Sequence, residues 1–541
     1  MRLLILAGIW VGFFIAIDPR GQFPLNDDFQ YAECARRWLT GGGLHLPEWA
    51  LSSTITHAAL GALMTFPWHA SNQALRLWMI VLGGLGAAGV YALARRWRAG
   101  GDAALLAALT LALSPLYATL SASFHLDVTV AVLTLAALLA FLRGRERGST
   151  QWLLVASTLT AASGLARQTG FLCVVGAAAA LALERRLSAR AALALLLPAG
   201  LAAAGFGAWL RFVHGPTWAW ESGVYSPKIE PGHWLAPGVW VELIRRASNS
   251  VQLGALCLSP LALLDINEAA RRRPTRGEAA ALATLIGVAL IGWTGARGLP
   301  LIQNTLSHMG LGVVTLMGAD DKPAGWWESA RLWNAAALIA LLSSVVFVRK
   351  IARALRGPDG AEIRAAALFV GAPFAAMLLM PILYDRYLLV ILPFASAAIA
   401  AGCGQSGRRA APAAAALLIL ALFTGAGLSD YFAWNRARWA AGMALVARGV
   451  PPDRIENGFD WDAQFSLTQN LAALRAKKPA REIGIWDWQT LNGIVAQTTF
   501  SASPPQADWT LIGRFPYRTP LVAGGGVVRL FAPLPPASPV R

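Results

Sequence analysis

Apolar residues in this chain come in blocks of about 17–25, long enough to cross a bilayer as helices, and polar residues collect between the blocks. Read this way, the pattern predicts about 13 spans. The first covers 3–17; others fall near 75–94, 103–120, 127–142, 151–166, 168–183 and 190–212. A second group falls near 248–265, 279–296, 331–348, 365–383, 387–403 and 410–428. Two long polar segments, 18–73 and 213–247, interrupt the series. The first is too long for a simple connector. Within it Phe29–Leu39 and Thr54–Phe66 repeat their Trp, Leu and Phe residues with helical period, as helices lying in a membrane interface do. Gly41, Gly42 and Gly43 end the first of them.

After Asp430 the pattern changes. Arg436–Val450 and Phe465–Ala476 read as helices, and Glu482–Trp488, Trp509–Phe515 and Val527–Phe531 read as short strands between Gly, Pro and Ser turns. The expectation is a membrane-embedded part, 1–428, followed by a small α/β domain, 429–541. The closing PLPPASPVR reads as disordered. The opening MRLLILAGIWVGFFIAI has no small-residue cleavage site before Asp18, and is expected to stay as a signal anchor. No internal repeat of the kind that builds transporters is visible.

Composition agrees. The chain of 541 residues is 56% hydrophobic and 14% charged, as a polytopic membrane protein is. Its net charge of +17 is not a nucleic-acid footprint, because the arginines sit in short runs between apolar blocks. Arg95-Arg96-Trp97-Arg98, Arg143 to Arg147, Arg185-Arg186, Arg271 to Arg273, Arg349 to Arg364 and Arg408-Arg409 fall on alternate connections. With Arg2 they define a cytoplasmic face, which puts 18–73, 121–126, 213–247, 297–330, 384–386 and the tail outside. Four tryptophans of the second polar segment, Trp218, Trp220, Trp234 and Trp240, suit an interfacial belt. The four cysteines show no paired spacing, so neither a disulfide framework nor a thiolate metal site is expected.

This orientation collects the reactive side chains on one side. His45, His57, His69, His125, His214, His233 and His308 all map to outer segments or their rims, and none shows a spacing such as HExxH. Four constellations stand out. The pair Asp27 and Asp28 follows the first span, where a plain polar loop would also be tolerated. Asp127, in SFHLDVTV, begins a span and could equally be a helix N-cap. Arg167, in GLARQTGF, stands at the outer edge, where a snorkelling arginine is the bland alternative. Asp385 and Arg386, in YDRYLLVILPF, could simply neutralise each other.

Taken in order, these motifs resemble the bacterial polytopic glycosyltransferases related to protein O-mannosyltransferases and the lipid A aminoarabinose transferase, the membrane glycosyltransferase C class. The resemblance rests on the acidic pair, F-x-x-D (Phe124 to Asp127), A-R-Q (Ala166 to Gln168) and D-R-Y-L-L-x-x-L-P (Asp385 to Pro393), and covers about residues 1–400. The tail matches in placement and in a loose GFDWD, Gly458 to Asp462. Asp28 departs from the Glu of many relatives, and His125 and Leu126 from a common Met-Thr. The resemblance implies an inverting transfer of a sugar from a polyprenyl phosphate to a hydroxyl at the outer face of the cytoplasmic membrane. It implies Asp27 as base, with Asp28 and Asp127 supporting it or binding a divalent cation, Mg or Mn. Arg167 and Arg386 would meet the donor phosphate, since guanidinium matches phosphate oxygens two at a time. Tyr31, His57, His125, Tyr384 and Tyr387 are the candidate substrate contacts. A secondary transporter or lipid flippase is the alternative, but it would place ionisable residues deep within spans.

Overall fold

The computed structural model describes residues 1–223, 237–264, 273–294, 302, 304–307, 310–316, 321–323, 325, 329–403, 410–491 and 493–533. His233, His308, Trp234, Arg271, Arg272, Arg408, Arg409 and the tail from 534 lie outside them. Among the described residues six helices are long and apolar enough to cross a membrane: Asn72–Arg96, Leu126–Arg147, Ala189–His214, Ala330–Arg356, Gly360–Leu378 and Ala410–Val446. A bent pair makes a seventh, and three shorter apolar helices accompany them, Arg2–Ile17, Gln168–Leu183 and Leu392–Gly402. The chain is a multi-pass membrane protein, and its described residues hold fewer full-length spans than the apolar blocks suggest.

Local chemistry explains the difference. Ser71, Ser149 and Ser188 cap the helices that follow them, each accepting a backbone N–H of the first turn. The expected span 103–120 is instead two helices, Gly101–Ala112 and Pro115–Ser121, bent by 63°. Pro115 has no N–H to continue the ladder, and Ser114 before it is extended. The break redirects the chain into the Phe124–Asp127 motif. Expected helices at 29–39 and 54–66 are present as Asp28–Leu39 and Ile55–Thr65. The expected span near 248–265 starts earlier, as Pro237–Cys257. Close approach is achieved through small residues: a Cβ on Gly176 would collide with the Leu368 carbonyl, so Cys173–Leu183 packs directly on Gly360–Leu378.

One buried arginine fixes the first polar segment. Arg76 donates to the carbonyls of Pro19 and Gly21 at 2.9 Å and of Phe23 at 2.7 Å. Its guanidinium lies 5.1 Å from the rings of both Phe23 and Phe432. The turn leading to Asp27 is thereby pinned to two helices.

The tail forms a four-stranded sheet from Ile455–Glu456, Ala496–Thr499, Gly526–Pro533 and Trp509–Tyr517, in that spatial order. The first pair is parallel and the other two antiparallel. Two of the expected strands are found, but 482–488 is a turn between short 3₁₀ segments, and Ala496–Thr499 takes its place. Ala410–Val446 is one unbroken helix of 37 residues, running through position 428 into the tail. Trp218 does not join an interfacial belt: it is fully buried and stacks on Trp49 at 5.5 Å, whereas Trp220 and Trp240 are exposed.

The GFDWD segment is held to that helix by Arg438. Its Nη2 donates to Asp460 and to Asn435 Oδ1 at 2.6 Å each, and its Nη1 to the Asn457 carbonyl at 2.5 Å, all fully buried. Removing the cation leaves Asp460 charged and desolvated, which costs about 3–5 kcal/mol. Arg438→Met is expected to lower the unfolding temperature of the detergent-solubilised protein sharply, and Arg438→Met with Asp460→Leu to recover much of the loss.

Candidate active site

Five charged or polar side chains from distant parts of the chain form a continuous chain of contacts. Arg167 Nη2 lies 2.8 Å from Asp127 Oδ1, and Asp127 Oδ2 lies 2.6 Å from His125 Nδ1. His125 Nε2 lies 2.6 Å from Arg386 Nη1, which also donates to Asp27 Oδ2 at 3.0 Å. Local structure sets each position. Asp27 precedes the helix Asp28–Leu39, and His125 precedes Leu126–Arg147. Asp127 stands in the first turn of that second helix rather than capping it. Arg167 is extended at the joint after Thr150–Ala166, and Arg386 lies on the 3₁₀ segment Asp385–Val390.

The two arginines are not snorkelling side chains. Each is 8% exposed and each lies against an aromatic face, Arg167 at 4.6 Å over Tyr387 and Arg386 at 4.8 Å over Tyr384. Neither Nε makes a hydrogen bond among the described residues. Nor does Arg386 neutralise its neighbour. Asp385 Oδ2 accepts the N–H groups of Thr305 and Leu306 at 2.8 and 2.6 Å, tying that loop to the site.

The adjacent carboxylates Asp27 and Asp28 have opposite electrostatics. Burial pushes Asp27 up, but His125 and the Arg386 guanidinium overcome it and hold the group at about 2. Burial dominates at Asp28 and lifts it to about 7 against His125, Arg76 and a backbone N–H. Its Oδ2 accepts the Phe124 N–H at 2.9 Å, while Oδ1 makes no hydrogen bond among the described residues. Asp28 thus joins the helix Asp28–Leu39 to the Phe124–Asp127 motif. Burial and Arg386 pull His125 toward neutrality, but Asp127 and Asp27 outweigh them and raise it above its usual value. In its neutral form the 2.6 Å contact with an Arg386 N–H leaves Nε2 bare and puts the proton on Nδ1 toward Asp127.

These groups surround a cleft of about 640 Å³. Asp27, Tyr31, Arg167, Tyr384, Arg386 and Tyr387 line it. Among the described lining residues Asp27 is the only carboxylate; Asp28, Asp127, His57 and His125 stand behind the wall. His57 is fully buried, stacked on Phe124 at 4.0 Å, bonded to Thr129 Oγ1 at 2.8 Å, and pushed down to about 3 by burial. It packs beneath Tyr31, whose ring meets those of His57 and His125 edge-on at 5.5 and 5.4 Å. The segment 51–54 is strapped to the A-R-Q segment: Gln168 Nε2 donates to the Leu51 carbonyl at 3.0 Å, and the Thr54 N–H to that of Ala166 at 3.1 Å.

A cation would need several free donors converging. Among the described residues no three His, Cys, Asp or Glu side chains do so. Asp27 and Asp127 are instead neutralised by arginines, so the residues as arranged do not fit a divalent ion.

Sequence reasoning missed another part of the lining. Trp49, Phe459, Trp486 and Gln489 line the same cleft, drawn from the first polar segment and the tail. Arg76, which pins the turn before Asp27, was also unmarked. A half-hidden signal existed in the tryptophans at 486 and 488, but their alternation reads as a strand.

Residues 53–210 match the profile of the family described as dolichyl-phosphate-mannose-protein mannosyltransferase. That segment includes Phe124 to Asp127 and Arg167 and excludes Asp27 and Arg386. No curated protein sequence matches the chain. Among solved structures, the chain is similar to ArnT from Cupriavidus metallidurans bound to undecaprenyl phosphate, at 15% identity and a TM-score of 0.41, over 98% of this chain and 97% of that one. It is also similar to the archaeal oligosaccharyltransferase AglB from Archaeoglobus fulgidus, in complex with an inhibitory peptide and a dolichol-phosphate. There the identity is 15% and the TM-score 0.40, over 81% of this chain and 58% of that one. At such TM-scores neither likeness transfers a contact or a role.

Proposed function

We propose that this membrane chain is an inverting glycosyltransferase that moves a sugar from a polyprenyl phosphate to a hydroxyl acceptor at the outer face of the cytoplasmic membrane. The observation that carries the reading is a cleft in which one carboxylate among the described lining residues, Asp27, stands beside two aromatic-backed guanidinium groups, Arg167 and Arg386. The match of residues 53–210 to a lipid-linked mannosyltransferase family supports it. An outward-facing site cannot draw on cytoplasmic nucleotide sugars, so the activated sugar has to arrive on a membrane-soluble carrier.

Asp27 takes the proton of the acceptor hydroxyl as that oxygen attacks the anomeric carbon. The bond from that carbon to the phosphate oxygen breaks, and its electron pair leaves with the polyprenyl phosphate. Arg386 and Arg167 neutralise the charge gathering there. One displacement inverts the anomeric centre, and no sugar–enzyme bond forms. Asp127 and His125 hold the two arginines in place.

Incubation of the purified chain with polyprenyl-phosphate-linked hexoses and pentoses tests the reading, with the product anomer read by NMR. Transfer with inverted configuration is expected from at least one lipid-linked donor. Transfer from nucleotide sugars alone would overturn the proposal. The orientation has its own check: a reporter active only in the cytoplasm, fused at Ser538, is expected to stay silent. A strong signal would reverse the topology and, with it, the choice of donor.

A further inference from the structure

Charge is distributed unevenly around the cleft. Among the described residues lining it, the charges are Asp27, Arg167 and Arg386, and all three belong to the wall just described. Elsewhere the described lining offers ring faces and a neutral amide: Trp49, Phe459 and Trp486, which pack against one another, and Gln489. Trp486 is 52% exposed, although Trp488 two residues on is fully buried. A tryptophan on a loose loop would mean little, but this one is held. Asp487 Oδ2 accepts the Gly484 N–H at 2.9 Å and Lys478 Nζ at 2.6 Å. Trp488 donates its Nε1–H to the Ile485 carbonyl at 3.1 Å and accepts from Asn470 Nδ2 at 2.7 Å. The Trp486 ring stands 6.1 Å from that of Trp49 and 5.9 Å from that of Phe459, edge-on to the latter.

Two amides accompany the rings. Gln489 follows Trp486 by three residues on the same turn and lines the same cleft. Gln30 lines it as well and is 4% exposed, yet its Oε1 makes no hydrogen bond among the described residues. A buried acceptor left without a partner costs about 1–3 kcal/mol unless a ligand supplies the donor.

We propose that this cluster is a subsite for an uncharged saccharide acceptor, with Trp486 covering the C–H face of a sugar ring and Gln489 and Gln30 meeting its hydroxyls. A neutral sugar ring has an apolar face and a hydroxyl rim, so it needs a flat aromatic surface flanked by neutral donors and acceptors. A phosphorylated lipid acceptor would set its anion against ring faces and an amide, a cluster to which the described lining residues bring no cation. An extended peptide would pair with a strand edge, and none of the described lining residues lies in a strand. The assignment of this saccharide as acceptor rests on the proposed transferase reading; its binding does not.

Saturation-transfer NMR on the full chain in nanodiscs, without donor, tests the subsite. The probes are cellotriose, mannotriose and chitotriose, with a trigalacturonate, a Ser/Thr-rich peptide and a phosphorylated glycolipid as competitors. At least one neutral trisaccharide is expected to bind. Trp486→Ala is expected to weaken it at least tenfold, Gln489→Ala severalfold and Trp486→Phe only slightly. Binding of the peptide, the polyanion or the glycolipid in place of all three neutral probes would overturn the proposal. So would neutral binding indifferent to both Trp486→Ala and Gln489→Ala, or no binding at all. Because no turnover is measured, these results are independent of whether transfer needs a lipid-linked donor.

Discussion

Asp27→Asn is expected to lower sugar transfer by about 10²–10⁴-fold at unchanged levels in the membrane. Asparagine keeps the shape and can still accept from Arg386, but it cannot take a proton. Of the carboxyl groups around the site, Asp27 alone lines the cleft among the described residues, whereas Asp127 is shared between Arg167 and His125 behind it. Asp127→Asn is therefore expected to act by loosening Arg167 and His125, and so to raise the apparent KM for donor more than it lowers kcat. A fully active Asp27→Asn beside an inactive Asp127→Asn would reverse these roles. Held at about 2, Asp27 is ionised throughout the neutral range. Its folded value lies below the unfolded one near 3.9, so its ion pair contributes stability above that value and loses it as pH falls toward 2. An activity loss between pH 6 and 8 thus belongs to other groups. The low value also makes a poor base until something competes for Arg386, which in the proposed reaction is the donor phosphate.

Arg386→Lys, which keeps the charge, is expected to cost about 10–100-fold in kcat/KM, and Arg386→Ala about 10²–10³-fold. The guanidinium reaches Asp27 and His125 with one nitrogen, stacks over Tyr384, and leaves Nε without a partner among the described residues. A lysine ammonium satisfies one of these relations at a time and has no flat face to stack. Were Arg386 merely a counter-ion for its neighbour, removing Asp385 would rescue Arg386→Ala. The carboxylate of Asp385 instead holds the N–H groups of Thr305 and Leu306, so the double variant is expected to be worse than either single one. Rescue would refute the phosphate role. Near-normal protein levels for Arg386→Lys on immunoblots separate lost turnover from lost folding.

Local pattern carried much of this molecule. Apolar blocks marked most helices, and the 3.6-residue repeat located Asp28–Leu39 and Ile55–Thr65 closely. The residues of the contact chain were legible one by one, because each is an ionisable side chain at the outer edge of an apolar block. Their partners were not. Arg386 and Asp27 are 359 residues apart, and no periodicity relates them. Asp385 was the alternative partner weighed for Arg386 against the donor phosphate, because adjacency is all that a linear reading can see. His57 looked like a substrate contact and lies fully buried beneath Tyr31, and such burial is a tertiary property. The strand Ala496–Thr499 escaped because Ala, Gln and Thr make no hydrophobic alternation, whereas Ile483 with Ile485 and Trp486 with Trp488 do and yet lie on a turn and the 3₁₀ segment after it.

The helix Ala410–Val446 has a mechanical consequence. At about 1.5 Å per residue its 37 residues reach about 55 Å, against a hydrocarbon core of about 30 Å. The surplus is a stiff strut, and the tail is clamped to it by Arg438 and Asp460 instead of hanging from a flexible tether. A clamped tail does not swing away like a hinged cover. The part of the cleft lining that the tail supplies, Phe459 and Trp486, is therefore held in register with the helices of the membrane part.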